Sequence, residues 1–174
     1  MKYVCLLRGI NVGGNNKITM SSLVELFTSM GFTDVVSYIN SGNIIFSSVK
    51  TPSAAQIRIQ LKKAFGLDIP TLVLSGNQVI HIADSIPEGW LNDEHQKTDV
   101  LYLFDEIDDA NIIMKIGYDM SIETAFYVSG AVLWNVERRY QSRSGLRKLV
   151  GSPLYAQLTV RNINTARRLA DLCR

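Results

Sequence analysis

The order of strand-like and helix-like segments is the feature that most constrains the fold of this chain. Lys2 to Leu7 forms an apolar run typical of a buried strand. After Thr19 or Ser21, either of which can cap a helix, apolar residues continue at helical spacing as far as Met30. Gly31 then favours a helix end, because glycine readily adopts the left-handed conformation found there. The chain therefore opens with a predicted strand and a predicted helix.

The next segments complete a compact motif. Two β-rich runs, Asp34 to Ile39 and Asn43 to Ser48, surround a short polar turn at residues 40–42. A second helix is predicted to begin at Thr51-Pro52, with Thr as the cap and Pro in the first turn, and to end near Phe65. Pro70 to Ser75 is a further strand. The order β-α-β-β-α-β predicts a ferredoxin-like α+β fold, with two helices on one face of an antiparallel sheet.

The second half of the chain repeats this order in part. Strand-like runs occur at residues 98–104, 123–128 and 131–136, and helix-like patterns at 108–116, 140–150 and 164–172. They give β-α-β-β-α before the pattern departs from the first half. We therefore predict a first ferredoxin-like subdomain at residues 1–76 and a connecting helix and loop at 77–97. A second, partly similar α+β subdomain with basic C-terminal helices is predicted at 98–174.

Composition indicates an ordinary globular protein of the cytoplasm. Of the 174 residues, 47% are apolar and 20% are charged, so disorder is not expected. The apolar run before Arg8 is too short for a signal peptide or a membrane span, and we expect no membrane association. Cys5 and Cys173 have no metal-binding or disulfide spacing, which predicts reduced thiols.

The charges are segregated along the chain, although the net charge is only +2. From Arg138 to Arg174 nine basic residues accompany a single acid, Asp171, whereas residues 84–123 are mainly acidic. This basic tail either packs near the acidic middle of the chain or provides a surface that binds anions.

Three polar segments concentrate residues suited to binding an anion. The first, Arg8 to Lys17, joins the first strand to the first helix. Its glycines would let several backbone N–H groups point towards an anion, and Arg8 and Lys17 would supply positive charge. Gly9 and Gly14 have the spacing of a P-loop, but Asn15 stands where that motif has lysine. The alternative interpretation is a long connection that uses glycine and asparagine for left-handed backbone.

The second segment, Asn40 to Asn43, and the third, Thr159 to Thr165, also have structural interpretations. The second suits a hairpin turn, and in the third Asn162 or Asn164 could cap the last helix while Arg161 forms a buried ion pair. The candidate ligand-binding residues from all three segments are Arg8, Gly9, Asn11, Gly13, Gly14, Lys17, Asn40, Ser41, Asn43, Arg161 and Asn162.

Other chemistry has little support in the sequence. His81 and His95 have no partner at a metal-ligand spacing, and no Ser-His-Asp arrangement can be assembled around them. We therefore expect no metal and no cofactor, and no catalytic residue can be named.

Together the three segments resemble the signature of one bacterial family. The motifs are Leu6-Leu7-Arg8-Gly9-Ile10-Asn11-Val12-Gly13-Gly14, then Ser37 to Phe46, then Thr159 to Thr165, and the resemblance extends over nearly the whole chain. They resemble the domain of unknown function 1697 family. Ile163 stands where many members have tryptophan. The resemblance implies ferredoxin-like subdomains, and it implies no catalytic residues.

These observations support several functional hypotheses. The leading one is binding of a small phosphorylated or anionic ligand, including a nucleotide, because arginine grips phosphate with two parallel hydrogen bonds. A sharper version is acylphosphatase-like hydrolysis, in which Arg8 stabilises phosphoryl oxygens and Asn40 or Asn43 positions water. The alternatives are an RNA-binding module that uses the basic tail and a protein-interaction module, as a monomer or a homodimer.

Overall fold

The computed structural model describes residues 1–13 and 16–174. The first four strands form one antiparallel sheet in the spatial order second, third, first, fourth. This order is that of a ferredoxin-like sheet, so the fold predicted for the first half is confirmed. The strands are β1 (Lys2–Leu7), β2 (Thr33–Tyr38), β3 (Asn43–Ser47) and β4 (Thr71–Ser75).

Helices α1 (Met20–Ser29) and α2 (Ala54–Phe65) both begin at hydroxyl caps. The Thr19 side chain accepts a hydrogen bond from the N–H of Ser22, which confirms one of the two predicted caps. The cap predicted at Thr51 is wrong. Ser53 caps α2 instead, accepting from the N–H of Gln56, and the helix begins two residues later than its proline suggested.

The two helices and one face of the first sheet enclose a core. Leu23 and Phe27 of α1, and Ile57 and Leu61 of α2, are each four residues apart and all fully buried. Phe46 of β3 is also fully buried, with its ring centroid 5.4 Å from that of Phe27. Each such side chain stabilises the fold by about 1.5–3 kcal/mol through removal from water.

The second sheet repeats the topology of the first, with the order second, third, first, fourth in its own numbering. Its fourth strand was not predicted, because Thr159, Arg161 and Asn162 gave this segment the polar character of a loop before the last helix. The repeat is therefore complete in strand order. The strands are β5 (Gln96–Leu103), β6 (Glu123–Val128), β7 (Ala131–Glu137) and β8 (Leu158–Asn162).

Two helical segments of the second half are shorter than predicted, whereas the last helix, predicted at 164–172, extends over Ile163–Cys173. Of residues 108–116 only Ile112–Ile116 form an α-helix, and a 3₁₀ turn, Asp105–Ile107, precedes the predicted start. Between them the Asp109 carboxylate accepts from the N–H of Asn111 at 2.7 Å, a local bond that competes with helix formation. Residues 140–150 likewise divide into a 3₁₀ helix, Arg138–Arg143, and a short α-helix, Gly145–Leu149.

The two helices not yet described are α3 (Gly76–Asp84) and α6 (Ile163–Cys173). The two short helices given above are numbered α4 (Ile112–Ile116) and α5 (Gly145–Leu149). The chain divides into two compact units, one of residues Met1–Val79 with Leu169–Arg174 and one of Ile80–Arg168. In the second unit, α4 and α5 cover a core that includes Leu101, Trp134 and Leu158.

Candidate functional site

The first two polar segments are in direct contact. The N–H of Leu7 donates to the carbonyl oxygen of Gly42 at 2.8 Å. Gly42 has a φ of +78°, and a Cβ atom there would lie 2.8 Å from the Cβ of Leu7 and 2.9 Å from the Cδ1 of Ile10. Only glycine satisfies both the conformation and the close approach. The two segments, which are distant in sequence, therefore pack so closely at Gly42 that no side chain would fit there.

Asn11 ties the loop of the first segment to the second segment. Its carboxamide oxygen accepts from the N–H of Ile18 at 2.9 Å, and its amide nitrogen donates to the carbonyl oxygens of Ile18 at 2.8 Å and Asn40 at 3.0 Å. Its backbone is left-handed, with a φ of +55°. Asparagine is suited to this position because it tolerates the left-handed region and both donates and accepts.

A cavity of about 520 Å³ lies beside this junction. We call it the loop cavity, and its lining residues are Asn11, Lys17, Ile18, Thr19, Met20 and Asn40. Three of these were candidate ligand residues from the sequence. The side chains of Lys17 and Asn40 are exposed, and within residues 1–13 and 16–174 no hydrogen bond or ion pair engages either one.

The start of α1 lies at the same cavity, since Thr19 and Met20 line it. The first turn of this helix contains no acidic residue. The N-terminal end of a helix carries a partial positive charge from its unsatisfied N–H groups. The lysine ammonium and the helix N-terminus at the loop cavity therefore both carry positive charge.

Other candidate residues of the first unit are placed around the junction rather than at the cavity. Gly9 and Gly13 have positive φ values of 73° and 61°. The N–H of Arg8 donates to the carbonyl oxygen of Pro70 at 3.0 Å, and its side chain is half-buried. Gly14 lies outside the described residues.

Asn43 and Ser41 serve the turn between β2 and β3. Asn43 is fully buried, and its amide nitrogen donates to the carbonyl oxygen of Tyr38 at 3.0 Å and the hydroxyl of Ser41 at 3.1 Å. A buried amide needs such partners. These bonds agree with the turn interpretation of the second segment.

The third segment belongs to the second unit, where it forms β8 and the start of α6. Asn162 accepts from the N–H of Thr165 at 2.9 Å and is thus the capping residue. Arg161 is 8% exposed, and its Nη1 donates to the Thr159 hydroxyl at 2.9 Å and the Val160 carbonyl at 2.8 Å. That this segment shares a ligand with the first two stays a prediction.

A second cavity, of about 560 Å³, lies in the second unit, and none of the candidate ligand-binding residues lines it, although Arg138 and Arg147 of the basic tail do. We call it the basic cavity because Lys97, Arg138 and Arg147 line it together with one acid, Asp99. Lys97 and Asp99 stand two residues apart on β5, so both point to the same sheet face. Two charged residues on the inner face of a buried strand are the signal that could have pointed to this site.

The described residues offer neither a metal cluster nor a membrane span. Within residues 1–13 and 16–174, no group of three or more His, Cys, Asp or Glu side chains is placed to hold a metal ion. None of the helices in those ranges combines the length and apolar character that a membrane crossing requires.

Comparison with known proteins places this geometry in context. A model of the family described as "Protein of unknown function (DUF1697)" matches residues 1–134. A search of curated proteins gives no match. Among solved structures, the conserved bacterial protein SP0830 from Streptococcus pneumoniae is similar, with a TM-score of 0.80 and 29% sequence identity. The alignment covers 99% of this chain and 98% of that chain.

Proposed function

This chain belongs to the DUF1697 family, and we propose that it binds a small phosphorylated or other anionic ligand in the loop cavity. One observation carries the proposal. The ammonium of Lys17 and the carboxamide of Asn40 line one cavity with the start of α1, and none of the described residues that line it is acidic. The polar side chains that a phosphate or carboxylate would meet there are either positively charged or able to form hydrogen bonds.

The roles of the two side chains follow from their chemistry. Lys17 supplies a point charge, which attracts phosphate without demanding one orientation. The Asn40 amide can donate to a ligand oxygen and so fix the orientation of the group. Backbone N–H groups at the start of α1 add donors that favour an anion.

Asn11 contributes by holding the site in shape. Its carboxamide forms hydrogen bonds both to Ile18, at the end of its own loop, and to Asn40, in the turn between β2 and β3. A site whose parts are held before the ligand arrives loses less conformational entropy on binding. Asn11 is therefore a positioning residue in this proposal, whereas Lys17 and Asn40 contact the ligand.

The acylphosphatase-like and RNA-binding hypotheses have less support. In RNA-recognition domains, exposed aromatic residues on the sheet stack bases. Here Phe46, the aromatic residue of β3, is fully buried against Phe27. RNA binding through the basic tail stays a prediction, as does hydrolysis of an acyl phosphate with Arg8.

The proposal is tested by titrating inorganic phosphate, AMP and glucose 6-phosphate into the ¹⁵N-labelled chain. We expect shifts of the Lys17, Thr19 and Asn40 amide signals. Lys17→Gln should weaken binding about tenfold, since a hydrogen bond to a charged group contributes roughly 1.5–3 kcal/mol. Lys50→Gln is the matched control, because Lys50 is an exposed lysine of the same unit outside the cavity. Equal weakening in both variants, or no shifts at the loop, would contradict the proposal.

A further inference from the structure

We propose that the second unit contains a separate ligand site, the basic cavity, which binds a phosphate monoester with a compact apolar body. This proposal does not depend on the loop cavity, since every residue that lines the basic cavity lies within Ile80–Arg168. The cavity volume of about 560 Å³ is in the range of small-molecule sites, roughly 300–1,000 Å³.

The charges that line the cavity do not cancel. Lys97 and Asp99 form an ion pair of 2.9 Å, in which the Asp99 side chain is only 7% exposed. This pair is neutral as a unit, and it leaves Arg138 and Arg147 as lining cations without a lining acid to balance them. A phosphate monoester carries about −1.5 to −2 charges at neutral pH and matches this excess.

Arg138 is held in place by neutral oxygens alone. Its Nε donates to the carbonyl oxygen of Asp93 at 2.9 Å, its Nη1 to the Gln141 side chain at 3.1 Å and its Nη2 to the Asn92 side chain at 3.0 Å. None of these partners removes the positive charge. The guanidinium is therefore oriented before a ligand binds, and its remaining N–H groups can donate to a phosphate oxygen.

The side chain of Arg147, unlike that of Arg138, is not fixed by hydrogen bonds to other described residues. Arg147 is an exposed residue of α5, and no hydrogen bond or ion pair engages its side chain within the described residues. A phosphate bound to Arg138 would attract this second guanidinium, so that both arginines donate charge-assisted hydrogen bonds to it. The helix that carries it is anchored, because the buried Ser144 hydroxyl donates to the Glu123 carboxylate.

Four apolar residues also line the cavity, beside the polar side chains of Gln141, Ser142 and Ser144. Val136, Leu146 and Val160 line it next to the sheet, and Val150 lines it while 56% exposed. Val136 and Leu146 are already buried, so the apolar surface that inorganic phosphate alone would leave in water belongs to Val150 and, in part, to Val160. An ester with an apolar group would cover that surface, at about 25 cal/mol for each Å² removed from water.

Phenyl phosphate is the probe for this class of ligand. We would titrate it into the full chain carrying ¹³C-labelled Val and Leu methyl groups, in parallel with inorganic phosphate and phenol. The expected result is saturable shifts of the Val136, Leu146, Val150 and Val160 methyl signals by phenyl phosphate, with at least tenfold weaker binding of the other two probes. Equal affinity for inorganic phosphate would overturn the assignment of an apolar body, and unchanged methyl signals would overturn the site.

Substitutions separate this site from general charge effects and from the loop cavity. Arg147→Gln should weaken phenyl phosphate binding about tenfold, because one charge-assisted contact is lost. Lys148→Gln removes the same charge one residue away, outside the cavity lining, and should change affinity less than about twofold. Lys17→Gln should change nothing here. Equal losses in the Arg147 and Lys148 variants would refute the proposal.

Discussion

The indole Nε1 of Trp134 donates a hydrogen bond of 3.0 Å to the Oε1 of Glu123, and both side chains are buried. The same carboxylate accepts from the hydroxyl of Ser144, from the N–H of Gly145 at 3.0 Å and from the N–H of Asp119 at 2.8 Å. Each of these partners is a donor, and such hydrogen bonds offset the cost of burying the carboxylate. Glu123 thereby joins β6, β7 and the start of α5.

We predict that Glu123→Gln destabilises the second unit by about 2 kcal/mol, because a buried group loses its partner. The amide NH₂ of glutamine is a donor and would face one of the donors that the carboxylate accepts from. Urea unfolding followed by tryptophan fluorescence measures the change. Glu137→Gln is the control, since Glu137 pairs with Arg139 at the exposed surface, where water screens the pair, and it should leave the unfolding midpoint nearly unchanged. Similar midpoints for both variants would contradict this account.

A second prediction concerns the packing of Gly42 against Leu7 and Ile10. Gly42→Ala should destabilise the first unit by about 3 kcal/mol, since left-handed strain and overpacking both oppose the new Cβ. Gly66→Ala is the matched control because Gly66 has a φ of +70° and open space around it. It should cost only the strain, about 1 kcal/mol. The difference between the two melting curves isolates the close approach of the two polar segments.

The third prediction tests Asn11 as a positioning residue. Asn11→Asp replaces an amide donor with an acceptor, so the bonds to the carbonyl oxygens of Ile18 and Asn40 are lost. We expect about 2 kcal/mol of destabilisation. Asn40→Asp is the same substitution at an exposed side chain of the same cavity and should change stability by less than about 0.5 kcal/mol. Both variants should weaken anion binding, and a stable Asn11→Asp protein would refute the positioning role.

The fourth prediction is a pH dependence at Asp93. Backbone N–H groups donate to its carboxylate, from Gln96 at 2.9 Å and from His95 at 2.8 Å, and these bonds lower its pKa. Because the pKa in the folded state lies below that of the unfolded chain, about 3.9, the charged form stabilises the fold above that pH. This stabilisation is lost as the pH falls through the lowered pKa.

Asp93→Asn should therefore lower the melting temperature at pH 7, and the difference from the unsubstituted protein should shrink as the pH falls below the unfolded-state pKa of about 3.9. Differential scanning calorimetry across this range measures it. Glu88→Gln, which removes an exposed carboxylate, is the control. A difference that is constant with pH would show that charge on Asp93 plays no part.

Local patterns predicted much of the fold. Helix α1 and its Thr19 cap follow from apolar spacing and a hydroxyl, both of which act within a few residues. The strand β8 was not predicted, because Thr159 and Arg161 are polar yet buried, and their burial depends on neighbours far away in sequence. The helix predicted at 140–150 is interrupted at Ser144, whose partner Glu123 lies 21 residues earlier.

The same division applies to the sites. The sequence indicated three of the loop-cavity residues as candidate ligand-binding residues: Asn11, Lys17 and Asn40. They were indicated because glycine, asparagine and lysine cluster at the ends of predicted strands. Their common cavity depends on the contact between Leu7 and Gly42, which only the packed sheet provides.

The sequence by itself determined the order and type of most elements, since hydrophobic periodicity and turn residues act over short distances. Tertiary structure alone brought Lys97, Arg138 and Arg147 around one cavity. These residues come from a strand, a 3₁₀ helix and a short α-helix, and their proximity follows from strand pairing and from the anchoring of α5 by Glu123. Those interactions act through space between distant residues, so no local pattern in the chain records them.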